Sequence, residues 1–340
     1  MTRPFVFSTA ARATAFVAAA FVALFQLAVP DRASARENKC VPIVLLYDEN
    51  EELAERHTDS NRDCTHDEFV FYEAGKPSRS ERDRDHDGRL DSWSTYDDEG
   101  RVATRKLDTK GDGKPDRWVD YEQDVPVFQR DDDNADDKID IETKFSDGEA
   151  SERKEDRDFD GVFDRFTSYL GGHPSILEED RDGDGRIDLH AEFDLDGTKL
   201  LEHQDATGDG ALNLTLYFRD GEQVRAEEDT TGNGRKDVIT HYAGGLVSSR
   251  EADTTGDGRY DTQIAYVLGV ETRRTFDPEL DGNPQLVAHV RDDGSLEREE
   301  IDSNNAGYVD ITRFYEDGKK VREVEDPDGD GTPNLVTHFR

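Results

Sequence analysis

Positive charge is scarce in this sequence: 43 Lys and Arg stand against 81 Asp and Glu over 340 residues, a formal charge of −38. A surface so negative repels nucleic acid and anionic membranes, and it calls for a cationic partner. Apolar residues are also few, at 33%, and mean hydropathy is −0.92. Such values usually leave too little apolar surface to offset the entropy of ordering a chain. Cysteine is nearly absent. Cys40 and Cys64 are too few for a metal or catalytic site, although in an oxidising compartment they can bridge and staple the N-terminal end of the fold. Enzyme signatures are missing: there is no Gly-x-Ser-x-Gly, phosphate loop, dinucleotide fingerprint, His-x-x-His or His-Glu-x-x-His. Two features argue against disorder: aromatics reach 9%, and the acids are periodic.

The one long apolar run lies at the start. Arg3 and Arg12 accompany Ala13 to Val29, and Ala33-Ser34-Ala35 follows as a small-x-small cleavage site, so residues 1–35 read as a secretory signal. The run has 17 residues, the short limit for a spanning helix, and cleavage leaves no membrane span. Losing Arg3, Arg12, Arg32 and Asp31 takes the mature charge to about −40. Export to the periplasm, the cell surface or the medium is expected.

Beyond the signal, one period governs the chain. Asp83-Arg84-Asp85-His86-Asp87-Gly88-Arg89-Leu90-Asp91 returns as Asp180-Arg181-Asp182-Gly183-Asp184-Gly185-Arg186-Ile187-Asp188. Its first Asp falls at 59, 83, 108, 132, 156, 180, 205, 229, 253, 277, 302 and 326, at intervals of 24, or 25 after 83, 180 and 277. Twelve in-phase copies make one repeat array over 59–340, with 36–58 as an N-terminal cap. Counting from that Asp, positions 8, 10, 12 and 14 tend to be apolar or β-branched, as in Ile187-Leu189-Ala191-Phe193. Position 14 is aromatic except at Val290, and a turn Gly follows within a few residues in most copies. Period two followed by a Gly turn predicts a hairpin, and the extra residue of the longer copies lies in that turn. The fold class is therefore all-β: about twelve hairpins of 24–25 residues joined by acidic loops in an antiparallel meander or solenoid. A β-propeller is the alternative.

The loops carry the chemistry. A calcium ion takes six to eight oxygens; Asp at positions 1, 3 and 5, a backbone carbonyl at 7 and Asp at 9 can supply them around a Gly turn at 6. An apolar residue at position 8 (Leu90, Ile139, Phe163, Ile187, Leu212) should anchor the loop to the core. Three copies carry all four acids: Asp83, Asp85, Asp87 and Asp91; Asp156, Asp158, Asp160 and Asp164; Asp180, Asp182, Asp184 and Asp188. The copy at 108 keeps Asp108, Asp112 and Asp116, but Lys110 at position 3 should point outward or weaken the site. The copy at 132 offers Asp132, Asn134, Asp136 and Asp140, and the copy at 59 likewise has Asn61. Asp205 and Asp209 precede Asn213. The sets Asp229, Asn233 and Asp237, and Asp253, Asp257 and Asp261, have Thr231 and Thr255 at position 3. The last copy has Asp326, Asp328 and Asp330 before Asn334, while Gln285 and Ala306 mark the copies at 277 and 302 as degenerate. The competing view of the same residues is that of Asx-turn connectors needing no metal. Four carboxylates packed together without a cation repel one another, which favours calcium in the full loops and less so in the Thr and Asn variants.

Over these nine residues per copy the sequence resembles the Asp-x-Asp-x-Asp-Gly calcium loops of EF-hands, dockerins and thrombospondin type 3 repeats. The EF-hand glutamate at position 12 is missing, since that position is never acidic (Val70, Ser94, Val119 and Ala191 are examples). The resemblance is thus to the thrombospondin type, and helix-opening calcium sensing is not implied. A glutamate just before the loop, such as Glu81, Glu155 or Glu179, can supply the missing oxygen. Elsewhere, His190, His241, His289 and His338 read as strand residues. Phe69, Trp93, Trp118 and Phe166 at position 11 form either a cross-strand packing ladder or a sugar-binding strip. The expected function is a non-enzymatic, calcium-loaded exported scaffold or surface protein. The alternative is a module adhering to cell-envelope glycan or protein through those aromatics.

Overall fold

The computed structural model describes residues 40–340, so the expected signal at 1–35 lies outside the described residues. The unit Val41–Arg340 is one antiparallel sheet of 25 strands, from β1 (Ile43–Tyr47), β2 (Leu53–Thr58) and β3 (Glu68–Glu73) to β24 (Lys319–Glu325) and β25 (Leu335–His338). Each strand pairs with the next in sequence. β1 pairs with β2 and β2 with β3, and the chain of pairings ends with β24 on β25 without closing back on β1. The propeller alternative is therefore corrected. A propeller would break the ladder between blades, whereas here pairing continues across every loop, as in Arg79↔Thr95 to Arg82↔Ser92.

Eleven of the predicted hairpins are present, the copy at 326 contributes the single strand β25, and an additional hairpin precedes them. β1 and β2 are joined by Asp48–Glu52, where the Asp48 carboxylate accepts the Asn50 and Glu52 N–H groups at 2.8 Å each. The same wrap recurs at Asp97, which accepts from Glu99 and Arg101, and at Asp194, which accepts from Asp196 and Thr198. The expected cap is thus itself a hairpin of the array. Cys40 and Cys64 are disulfide-bonded.

In every hairpin the second strand carries one extra residue. Phe71 faces Arg79 while Tyr72 faces Pro77, leaving Ser78 over. This bulge is held by a hydroxyl where the sequence provides one: Ser78, Ser151, Ser175, Ser248 and Thr272 donate to the carbonyls of Phe71, Lys144, Ser168, His241 and Ala265 at 3.1–3.3 Å. A bulge increases local twist, and its repetition winds so long a meander.

The position-12 row is the buried one, with Val70, Ser94, Val119, Thr143, Thr167 and Ala191 all shielded. The position-11 rings lie on the other face and do not form an aromatic ladder. Phe69 faces Glu81 and Glu81 faces Trp93, and Lys106 stands between Trp93 and Trp118. Burial is otherwise unusual: nine apolar residues are fully buried against fifteen aspartates, all but Asp131 at position 1 or 9 of a loop. The solvent-shielded interior of this chain is largely its loop edge.

Candidate metal centre

Because strands alternate in direction, every acidic loop falls on one edge of the sheet and every hairpin turn on the other. Successive loops are stitched together. The N–H of each position-1 Asp donates to the position-9 carbonyl of the preceding copy, from Asp83 on Asp67 to Asp326 on Asp310, at 2.7–3.1 Å. At roughly 4.8 Å per strand, neighbouring loops repeat about every 10 Å along that edge.

Within a loop the backbone turns inward at two places. Position 6 has positive φ, as expected (Gly88, 92°; Gly185, 87°), and position 4 does too, at Gly183 (75°) but also at His86 (62°) and Phe159 (64°). Two left-handed residues so close together aim their N–H groups at the first carboxylate. Asp83 accepts from His86 at 2.6 Å and Gly88 at 2.8 Å, Asp156 from Phe159 and Gly161, and Asp180 from Gly183 and Gly185. Position 9 closes the loop from the other end: Asp91, Asp164 and Asp188 accept the N–H of position 2 at 2.5–3.1 Å. At Asp229 burial pushes the carboxyl up, but the N–H groups of Gly234, Gly232 and Asn233 bring it below its ordinary value. Asp205 follows suit through Gly210, Gly208 and Thr207.

The four sets whose carboxylate oxygens converge to within 4.8 Å are Asp83, Asp85 and Asp91; Asp156, Asp158 and Asp164; Asp180, Asp182 and Asp188; and Asp326, Asp328 and Asp330. The first three are the copies singled out by sequence. They use positions 1, 3 and 9. Asp87, Asp160 and Asp184 stand apart from these sets and instead accept the N–H of position 7 at 2.7–2.8 Å. Loops 156–164 and 180–188 face each other across a cavity of about 270 Å³. Glu179 in that cavity is bound by Arg157, Arg165 and Arg181, so it is spent on ion pairs and not on completing an oxygen shell.

A test of fit comes from oxygens left over. Among the described residues, Asp67 Oδ1, Asp91 Oδ1, Asp277 Oδ1 and Asp326 Oδ1 are shielded from solvent and meet no donor. Asp91 and Asp326 belong to converged sets, and a buried carboxylate oxygen without a donor suits a hard cation. Asp67 was not among the expected ligands; it is the ninth residue of the copy at 59.

The other candidates do not converge as acid triads. Thr207, Thr231 and Thr255 donate their hydroxyls to Asp205, Asp229 and Asp253 at 3.2–3.4 Å, replacing an oxygen ligand by a donor. Lys110 reaches along the edge to the Asp132 carbonyl, which ties two loops together. Asn134 accepts the Asp136 N–H at 2.9 Å, and Asp132 and Asp140 cap the loop between them. Asp108, Asp112 and Asp116, and Asp209, Asn233, Asp237, Asp257 and Asp261, are likewise held in backbone or hydroxyl hydrogen bonds. The position-8 anchors are half-buried, and Leu212 is exposed.

No family model and no curated protein matches this chain. Solved structures align over much of it at low similarity. The Tc holotoxin pore of Photorhabdus luminescens matches at 12% identity and a TM-score of 0.22, over 87% of this chain and 18% of that one. The TcdB2–TccC3 crystal structure gives 15% and 0.21, over 87% and 18%. A porin-like protein from Bacteroides uniformis gives 10% and 0.16, over 74% and 89%. The chain spans less than a fifth of the length of the first two, and likeness at this level carries no functional argument. Among the described residues no helix is long and apolar enough to cross a membrane.

Proposed function

We propose that this chain is a non-enzymatic, exported repeat scaffold whose full acidic loops take up calcium. The observation that carries the reading is the convergence of three carboxylates in each of four loops on one edge, at positions 1, 3 and 9 in three of them and 1, 3 and 5 in the last. An all-oxygen, anionic, flexible loop matches the preference of calcium, while magnesium asks for a smaller and stricter octahedron. Loops of thrombospondin type supply the nearest sequence precedent. The disulfide at Cys40 and Cys64 fits an oxidising compartment and so supports export. The test is calorimetric titration of the mature protein with calcium and a site count, repeated with magnesium. A chain that binds no calcium would sink the proposal.

The second reading, adhesion to cell-envelope glycan, is favoured by a shallow cavity of about 350 Å³ where Trp93 lies beside Thr95, Thr104, Lys106 and Pro115. A half-buried ring flanked by hydrogen-bonding groups suits sugar stacking. Glycan-array binding that disappears in Trp93→Ala would support it; binding that survives would dismiss it.

A further inference from the structure

We infer that His190, His203 and Glu192 form a site for a borderline transition-metal ion such as Zn²⁺ on the position-11 face, away from the acidic edge and chemically unlike it. The two histidines sit on adjacent strands, β13 (Leu189–Phe193) and β14 (Lys199–Gln204), directly opposite each other in register. Their ring centroids are 6.1 Å apart with planes inclined at 37°. Each ring has its Nδ1 occupied by an orienting group: Glu178 Oε1 lies 3.0 Å from His190 Nδ1, and Thr215 Oγ1 lies 3.0 Å from His203 Nδ1. At His190 the carboxylate, the usual outer partner of a metal-bound imidazole, accepts the Nδ1 proton and leaves Nε2 as a lone pair, and the Thr215 hydroxyl can accept the same proton at His203. Glu192 Oε1 lies 3.5 Å from His190 Nε2 and is half exposed.

Two imidazole nitrogens and one carboxylate make a His₂Glu set with a fourth position open to water or a ligand. With Zn–N bonds of about 2.0–2.1 Å, two imidazoles on a tetrahedral ion stand about 5 Å apart between centroids. The three donor atoms do not all lie within 4.8 Å of one another, so binding has to draw them together by rotation of the side chains. Imidazole donors select zinc, copper or nickel over calcium, so the loops and this site choose different ions. The other close histidine pair shows the contrast. His57 and His66 rings are 5.9 Å apart, but His66 turns its Nε2 to the Val41 carbonyl at 3.0 Å.

The experiment is calorimetric titration of the full exported chain with Zn²⁺ while calcium saturates the loops, together with the visible spectrum of the Co²⁺ form. One ion per chain is expected, with His190→Gln and His203→Gln each weakening binding at least tenfold and His57→Gln leaving it unchanged. A tetrahedral Co²⁺ spectrum that is lost in His203→Gln supports the same ligands without relying on affinity. Binding that is unaltered in both variants, or no binding by the unsubstituted chain, overturns the inference. Because calcium is saturating throughout, failure here leaves the calcium reading intact, and the converse holds.

Discussion

Replacing Asp140 by alanine separates the two jobs a loop acid can do. Asp140 is 1% exposed, and its Oδ2 accepts the Asp133 N–H at 2.6 Å and the Asn134 N–H at 3.0 Å. Its copy has Asn134 in place of an acid at position 3, so it is not one of the converged triads. A hydrogen bond to a charged acceptor contributes about 1.5–3 kcal/mol, so losing both costs about 3–6 kcal/mol, less whatever water restores. Asparagine keeps an acceptor in place, as Asn213 already does for Ala206 at 2.8 Å, and Asp140→Asn should cost only about 1–2 kcal/mol. The assay is urea unfolding in chelator, paired with hydrogen exchange across β8 (Val125–Asp131) and β9 (Ile141–Ser146), where the damage should concentrate in a quasi-one-dimensional array. The reasoning is refuted if Asp140→Ala costs less than about 1 kcal/mol in chelator. A loss seen only when calcium is present would refute it equally.

Other consequences are open to measurement. Calcium binding the folded chain alone should raise its melting temperature by mass action, and chelator should reverse this; an unchanged melt would count against the metal. Asp182→Ala should remove one ion per chain, whereas Asp281→Ala in the degenerate copy should remove none; equal losses by calorimetry would show the grading of loops to be wrong. Thr255→Asp restores a fourth acid beside Asp253, Asp257 and Asp261 and should add one ion. Tyr315 donates to Glu299 at 2.7 Å, and burial, then that carboxylate, push its phenol from 10.0 to about 12. A raised value means its contribution is full below pH 10 and is lost as pH rises toward 12. Tyr315→Phe should abolish stability change in that window, read by unfolding at stepped pH beside the phenolate absorbance.

The hairpins were legible because alternation, a position-14 aromatic and a turn Gly all pointed to the same element. The first hairpin was not, because its turn, Asp48–Glu52, has no glycine and places Glu51 at φ 66°. Bulges escaped because one extra residue in a polar strand leaves no pattern beyond a scattered hydroxyl at Ser78, Ser151, Ser175, Ser248 and Thr272. The three full loops could be named from their acids, but not which acids meet. That depends on position 4 being left-handed, a need hinted at by Gly183, Gly208, Gly232 and Gly256 yet hidden by His86 and Phe159. With both turns inward, position 1 becomes the hub, and in the three full loops position 5 caps position 7 outside the converged set. The His190–His203 pairing was out of reach, since only the strand register brings those residues face to face.

The wide turns set a longer rhythm than the hairpin. Copies with the extra turn residue begin at 83, 180 and 277, each 97 residues after the last, so the chain regains its own pattern only after four hairpins. The loop at 83 meets its counterpart at 180, and the Asn loop at 59 meets the full one at 156, each at that same step. Any partner that reads the turn edge would find a wide turn at every fourth hairpin from Asp97 onward, with one more at Asp48 two hairpins earlier, so the array offers it a graduated ruler.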